Sequence, residues 1–199
     1  MLVVGAEVLS AIYQHSDTSI ESMIYKALFG DSASAAVVTD TPLGPGLAID
    51  DTFEYVLADS LDRQRGRIDV DGIHFDSSKK ALSAAAEVLP HFKDWYGPTE
   101  TPDFAVIHPG SPRIISDTTD ALGLTAHDAR HSTDTLADEG NLGGVSVLRV
   151  LERTHGDPPP TAPAASWSPS DPASPPRRCA VTGRHDQALP LTMAIGSST

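Results

Sequence analysis

Short apolar runs alternate with helix-like patterns along most of the chain, and this alternation limits the folds open to it. Residues 104–107 are four consecutive apolar residues, as in a buried strand, and residues 2–4 and 34–39 are similar. Apolar residues recur at helical spacing in residues 19–28 and 77–95. Strands that alternate with helices predict an α/β layered fold.

Four weaker patterns complete the predicted elements. Residues 52–58 and 67–75 are candidate strands, and residues 111–122 and 142–153 are candidate helices. In the second strand the alternation of apolar and polar residues goes out of step after Gly72, which predicts a bulge or a turn there.

The composition changes near residue 157. Residues 157–199 contain nine of the sixteen prolines and three residues of each charge sign, so the net charge lies in residues 1–156. Proline removes backbone donors and fixes φ, and few branched apolar residues are present to form a core. We therefore predict a folded part followed by a disordered Pro-rich tail.

Charge and cysteine content exclude several functions. There are 27 acidic and 14 basic residues, a net charge of −13, which argues against nonspecific binding to nucleic acid or an anionic membrane. No apolar run approaches the about 20 residues that span a bilayer, and the first ten residues lack the basic region of a signal peptide. Cys179 is the single cysteine, so neither a disulfide framework nor a Cys-rich metal site is expected. These features predict a cytoplasmic protein without a metal.

Two polar residues stand where chemistry is expected in an α/β fold. His108 directly follows the apolar run 104–107, and side chains at the carboxyl end of a strand point into the crevice where such folds bind ligands. Asn141 lies between Gly140 and the predicted helix 142–153. Both have simpler explanations, since His108 could be a hydrogen-bonded structural histidine and Asn141 an N-cap.

Three segments together resemble a known family. LFGDSASAAV at 28–37, IHPGSPRII at 107–115 and DEGNLGG at 138–144 resemble, in order and approximate spacing, motifs of the type III polyketide synthases. These are the chalcone synthase-like branch of the thiolase-fold condensing enzymes. The run SDTSIESMIYKALFGD before the first motif matches as well, and the resemblance covers residues 1 to about 153. Ketoacyl synthase III enzymes, the alternative, would usually carry His-Gln-Ala-Asn at 108–111.

The resemblance implies an acyltransferase that condenses malonyl-CoA, with loss of CO₂, onto an acyl-CoA starter. It implies the C-terminal half of a thiolase-like αβαβα fold, a homodimer, and no cofactor besides the CoA thioesters. In this family a Cys–His–Asn triad acts. By motif, His108 and Asn141 are the catalytic histidine and asparagine, which donate hydrogen bonds to the thioester oxygen. The substrate-binding residues it implies are Phe29 and Phe75 as gatekeepers, Gly110 and Arg113 at the CoA arm, and cavity positions near Leu9 and Ile12.

The family's nucleophilic cysteine falls before Met1, and Cys179 lies in the Pro-rich tail without a strand-to-helix elbow. The sequence therefore predicts a truncated chain that does not condense substrates alone. Its predicted domains are the end of the N-terminal thiolase-like half (1–40), the C-terminal half lacking its last strands (41–156) and the tail (157–199). A non-catalytic remnant or interaction module stays open, as does an unrelated hydrolase using His108 with Ser111, although no G-x-S-x-G elbow supports it.

The tail also has a second interpretation. Residues 164–177, translated one nucleotide out of frame with permitted third bases, give Gly-Val-Leu-Val-Ala-Phe-Gly-Pro-Gly-Val-Thr-Ala-Glu, which resembles the glycine–proline turn and flanking strands of the family. We hypothesise a one-nucleotide shift after about Leu151, and the alternative is a genuine disordered segment.

Overall fold

The computed structural model describes residues 1–41, 47–99, 101–158, 178–182 and 191–196. The strands are β1 (Leu2–Glu7), β2 (Ser32–Val37), β3 (Ala48–Glu54), β4 (Gln64–Asp69), β5 (Gly72–Ser77), β6 (Phe104–Ile107), β7 (Arg178–Thr182) and β8 (Leu191–Gly196). The α-helices are α1 (Ile20–Leu28), α2 (Ala84–Tyr96), α3 (Pro112–Leu122), α4 (Arg130–Glu139) and α5 (Ser146–Gly156). Short 3₁₀ helices cover Leu9–Ile12, Lys79–Ser83 and Gly143–Val145.

Strand β6 is the centre of the core, because all four of its residues are buried. Successive strand side chains point to opposite faces, and each face of β6 packs on different helices. Ala105 and Ile107 pack with residues of α2 and α3, while Phe104 and Val106 pack against Val150 of α5. The continuous apolar run is therefore explained by helices on both faces.

The strands form three sheets. Strands β1 and β2 pair antiparallel, and β4 and β5 form an antiparallel hairpin. The third sheet has the order β3-β8-β7-β6, in which β6 and β7 are parallel and the other pairs are antiparallel.

The α/β alternation predicted from the sequence is present, but some elements differ. The predicted strand 67–75 is a hairpin of β4 and β5, and Gly72, with φ +121°, begins the second strand after the turn. The strand predicted at 52–58 is instead β3, four residues earlier, because its partner is β8. Helix α4 was not predicted from the sequence.

Two short segments within the predicted Pro-rich tail are described as strands. Residues 178–182 form β7 alongside β6, and residues 191–196 form β8 between β7 and β3. The physical reason is that these short segments avoid proline and supply apolar and β-branched residues to a sheet edge that β6 leaves open. Most of the Pro-rich stretch, and residues 164–177 with the out-of-frame interpretation, lie outside the described residues, so the frame-shift hypothesis stays a prediction.

Candidate active site

The position of His108 follows from the alternation along β6. Phe104 and Val106 pack on α5, and the same alternation continued one residue past the end of β6 at Ile107 would put His108 on that side. The side chain is buried, with 6% of its surface exposed, directly before the turn into α3. Gly110 leaves room beside the imidazole, because a Cβ there would approach His108 Nε2 to 3.2 Å.

Asn141 lies in the loop between α4 and α5 and is also buried. It is not the N-cap of α5, which begins at Ser146. Its Oδ1 accepts hydrogen bonds from the Gly143 amide at 3.0 Å and the Ser146 hydroxyl at 3.5 Å. Because the oxygen is engaged, the group that Asn141 can offer a ligand is its Nδ2 amide, a donor.

The main chain joins Asn141 to the segment after α1. Asn141 N donates to Leu28 O at 2.7 Å, and Gly30 N donates to Asn141 O at 3.1 Å, which places Phe29 and Asn141 opposite each other in a parallel bridge. Gly140 makes this approach feasible, because a Cβ at that residue would overlap the Leu28 carbonyl oxygen. Two of the three sequence motifs therefore meet at Asn141.

Ion pairs connect the end of α4, just before this loop, to α5. Glu139 accepts from Arg149 at 2.9 Å and from Arg153 at 2.7 Å, both on α5. Burial acts to raise the pKa of the Glu139 carboxyl, but the hydrogen bonds from Arg153 and Arg149 outweigh it, so the pKa is lowered. The carboxylate thus stays charged, and it fixes α4 to α5 on either side of Asn141.

Phe29 and Phe75, the two predicted gatekeepers, lie together. Their ring centroids are 6.3 Å apart at an interplanar angle of 84°, an edge-to-face arrangement. The Phe29 carbonyl oxygen also accepts a hydrogen bond from the Tyr13 hydroxyl, just after the 3₁₀ helix that contains Leu9 and Ile12. The Phe29 main chain therefore connects this pair of rings to Asn141.

Glu7 is a candidate site residue that the sequence reasoning missed. At the end of β1, its Oε1 accepts from the Gly144 amide at 3.0 Å, and a Cβ on Gly143 would lie 2.9 Å from its carboxyl carbon. The contact joins residues 137 positions apart in the chain. The only feature of the sequence that could have indicated Glu7 is that an acidic residue ends an otherwise apolar strand.

Ser111 and Arg113 have structural roles in the turn after His108. Ser111 is the N-cap of α3, where its hydroxyl accepts from Ile114 N at 3.2 Å. Arg113 is exposed and pairs with Asp117 one helical turn later, at 3.2 Å. The hydrolase alternative gains no support, since the Ser111 hydroxyl oxygen caps a helix.

Cys179 lies far from His108 along the sheet. On β7 it pairs with Phe104, at the opposite end of β6 from His108. At about 3.3 Å per residue, four residues correspond to a distance of about 13 Å along the strand.

Within the described ranges, no three His, Cys, Asp or Glu residues are grouped as a metal site requires. Among the helices that the structure describes, none is long and apolar enough to cross a membrane.

Comparisons with known proteins identify relatives of this chain, although no family model matches it. A 1,3,6,8-tetrahydroxynaphthalene synthase of Streptomyces griseus is 31% identical over 161 residues, which are 79% of this chain and 43% of that protein. The crystal structure of 1,3,6,8-tetrahydroxynaphthalene synthase from Streptomyces coelicolor, a bacterial type III polyketide synthase, superposes with a TM-score of 0.80 at 26% identity, over 98% of this chain and 53% of the other.

A second solved structure agrees. Germicidin synthase of Streptomyces coelicolor, also a type III polyketide synthase, gives a TM-score of 0.81 at 25% identity over 98% of this chain and 50% of the other. The chain thus spans about half the length of the relatives it matches. The predicted thiolase-like α/β fold class is confirmed. By sequence motifs, sequence identity and fold, the chain is a homologue of the type III polyketide synthases and corresponds to part of their structure.

Proposed function

We propose that this chain carries the decarboxylating part of a type III polyketide synthase site, in which His108 and Asn141 bind the thioester oxygen of malonyl-CoA. The observation that carries the proposal is the disposition of two buried polar residues. His108 is buried directly after β6, the strand that packs on α5, and Asn141 is buried before α5 with its Oδ1 engaged and its amide available to donate.

The chemistry follows from what such donors do. Decarboxylation breaks the bond between the carboxylate carbon and the methylene carbon, CO₂ leaves, and the electron pair delocalises onto the thioester oxygen. Donors that are already oriented stabilise this enolate oxygen, and each is typically worth about 3 kcal/mol. Burial lowers the local dielectric and strengthens the effect.

Condensation needs a further group. In the proposed reaction the enolate carbon attacks an acyl thioester on a cysteine, whose thiolate then leaves. Cys179 is the single cysteine of the sequence and is about 13 Å from His108 along the strands. We therefore propose that the 199-residue chain by itself does not condense malonyl-CoA with an acyl-CoA, and that the enolate instead takes a proton to give acetyl-CoA.

The remaining site assignments belong to the same proposal. Phe29 and Phe75 form the wall next to Asn141, and Gly110 and Arg113 lie in the turn and first helical residues beside His108, where a CoA arm would pass. The exposed guanidinium of Arg113, which also pairs with Asp117, would contact the anionic CoA arm. The substrates are acyl-CoA and malonyl-CoA, and the assembly is a homodimer, as the resemblance implies.

The test is malonyl-CoA decarboxylation by the purified chain, followed as acetyl-CoA by chromatography. Asn141→Asp keeps the oxygen that accepts from Gly143 but removes the donor, and His108→Ala removes the imidazole. We expect each variant to lose about 10²- to 10³-fold in rate. His155→Ala, on the exposed end of α5, is the matched control and should leave the rate unchanged.

Two results would count against the proposal. Decarboxylation that persists in Asn141→Asp and His108→Ala would show that these residues do not bind the thioester oxygen. Polyketide formed by the chain alone from an acyl-CoA and malonyl-CoA would show that condensation requires no further cysteine.

A further inference from the structure

A third aromatic ring completes the group formed by Phe29 and Phe75. The Tyr25 ring centroid is 5.6 Å from that of Phe29 and 5.6 Å from that of Phe75. We call these three residues the aromatic cluster. Tyr25 lies on α1, Phe29 is the C-cap of that helix, and Phe75 lies on β5. The cluster therefore packs α1 against the β4–β5 hairpin.

Tyr25 differs from the two phenylalanines in that its hydroxyl group makes a hydrogen bond. Its hydroxyl donates to Glu21 Oε1 at 2.9 Å, one turn earlier on α1. Burial and the Glu21 carboxylate raise the pKa of this phenol from its ordinary 10 to about 12, so the hydroxyl stays a donor even in mildly alkaline solution. A ring held at both its face and its hydroxyl resists displacement more than a phenylalanine ring does.

The aromatic cluster is continuous with the proposed site. Phe29 is bridged to Asn141 by main-chain hydrogen bonds, so a thioester held by the Asn141 amide has the cluster next to it. An acyl chain that extends from this thioester towards α1 meets the cluster, of which Tyr25 is the largest side chain. We infer that Tyr25 is a specificity-determining residue, which limits the length of acyl chain that the site accepts.

This inference rests on the proposed function and is tested by binding rather than turnover. Dissociation constants for a series of saturated acyl-CoA thioesters, from two to sixteen carbons, are measured with the 199-residue chain by calorimetry. Each buried methylene tightens binding about fourfold, so affinity should rise with chain length until the acyl group reaches the cluster and then stop rising.

The variants separate the ring from its hydroxyl. Tyr25→Ala should move the point at which affinity stops rising to chains longer by at least two carbons. Tyr25→Phe keeps the ring and should leave that point where it is in the unchanged chain. Tyr55→Ala is the control, because that ring stacks on His91 of α2, outside the cluster. If Tyr25→Ala loses its circular dichroism spectrum, Tyr25→Leu, which preserves apolar packing, is measured in its place.

The outcomes distinguish this inference from the function on which it rests. If affinity depends on acyl length but the limit is the same in Tyr25→Ala or Tyr25→Leu as in the unchanged chain, the role of Tyr25 is refuted and the proposed function stands. If no acyl-CoA binds and malonyl-CoA is not decarboxylated, both are refuted.

Discussion

Gly140 gives the sharpest test of how the site is held together, through the substitution Gly140→Ala. Its φ of +78° and ψ of −157° lie in a region that is essentially restricted to glycine, where another residue costs about 1–3 kcal/mol. An added Cβ also overlaps the Leu28 carbonyl oxygen. Relief of that overlap breaks the hydrogen bond from Asn141 N, at about 1 kcal/mol. The sum is about 2–4 kcal/mol of unfolding free energy.

Urea unfolding followed by circular dichroism measures this loss. With a slope of about 2 kcal/mol per molar urea, the midpoint of Gly140→Ala should fall by about 1–2 M. Gly156→Ala is the matched control: it is the last residue of α5, and its added methyl meets nothing within 4 Å. We expect that control to change stability by less than about 1 kcal/mol. Equal midpoints for the two variants would refute the reasoning.

Two further predictions concern stability. Phe92→Ala removes a ring that is 1% exposed in the core beside β6, so it should lower the free energy of unfolding, measured with urea, by about 3–5 kcal/mol. Leu61→Ala, at a side chain that is 95% exposed, should lower it by less than about 0.5 kcal/mol. Hydrogen bonds from Arg63 and Ser83 lower the pKa of the Glu87 carboxyl from its ordinary 4.5 to about 2, so its stabilising effect is complete above pH 4.5 and is lost as the pH falls towards 2. Glu87→Gln should therefore unfold with less pH dependence in that interval, and an unchanged acid profile would contradict the role of this ion pair.

The strand before His108 and the position of His108 after it could be predicted because the signal is local. Four apolar residues at 104–107 require burial on both faces, and the helices on each side of β6 provide it. The motif at 138–144 located Asn141 in the same way. Its contact with Leu28 could not be predicted from spacing, because it joins main-chain atoms of distant segments.

Helix α4 shows why other elements escaped prediction. Its sequence, RHSTDTLADE, has no apolar stripe, and the residues that it buries are Ser132 and Thr135. Ser132 is fully buried because its hydroxyl accepts from the Ile107 amide of β6 at 2.9 Å. A helix that faces the core with hydroxyl groups gives no hydrophobic periodicity. Its position depends on a partner that only the fold supplies.

The bridge between Phe29 and Asn141 has a consequence for how this site tolerates mutation. Both of its hydrogen bonds use main-chain atoms, so they do not depend directly on which side chains occupy residues 28 and 141, apart from proline at the donor 141. Residue 30 is more restricted, because a Cβ there would lie 3.2 Å from Leu142 Cδ2 and 3.3 Å from the Glu139 carbonyl oxygen. Chemical competence and architecture can therefore be lost independently. A substitution that silences Asn141 can leave the scaffold intact, so a folded descendant of such a chain could persist long after its chemistry has disappeared.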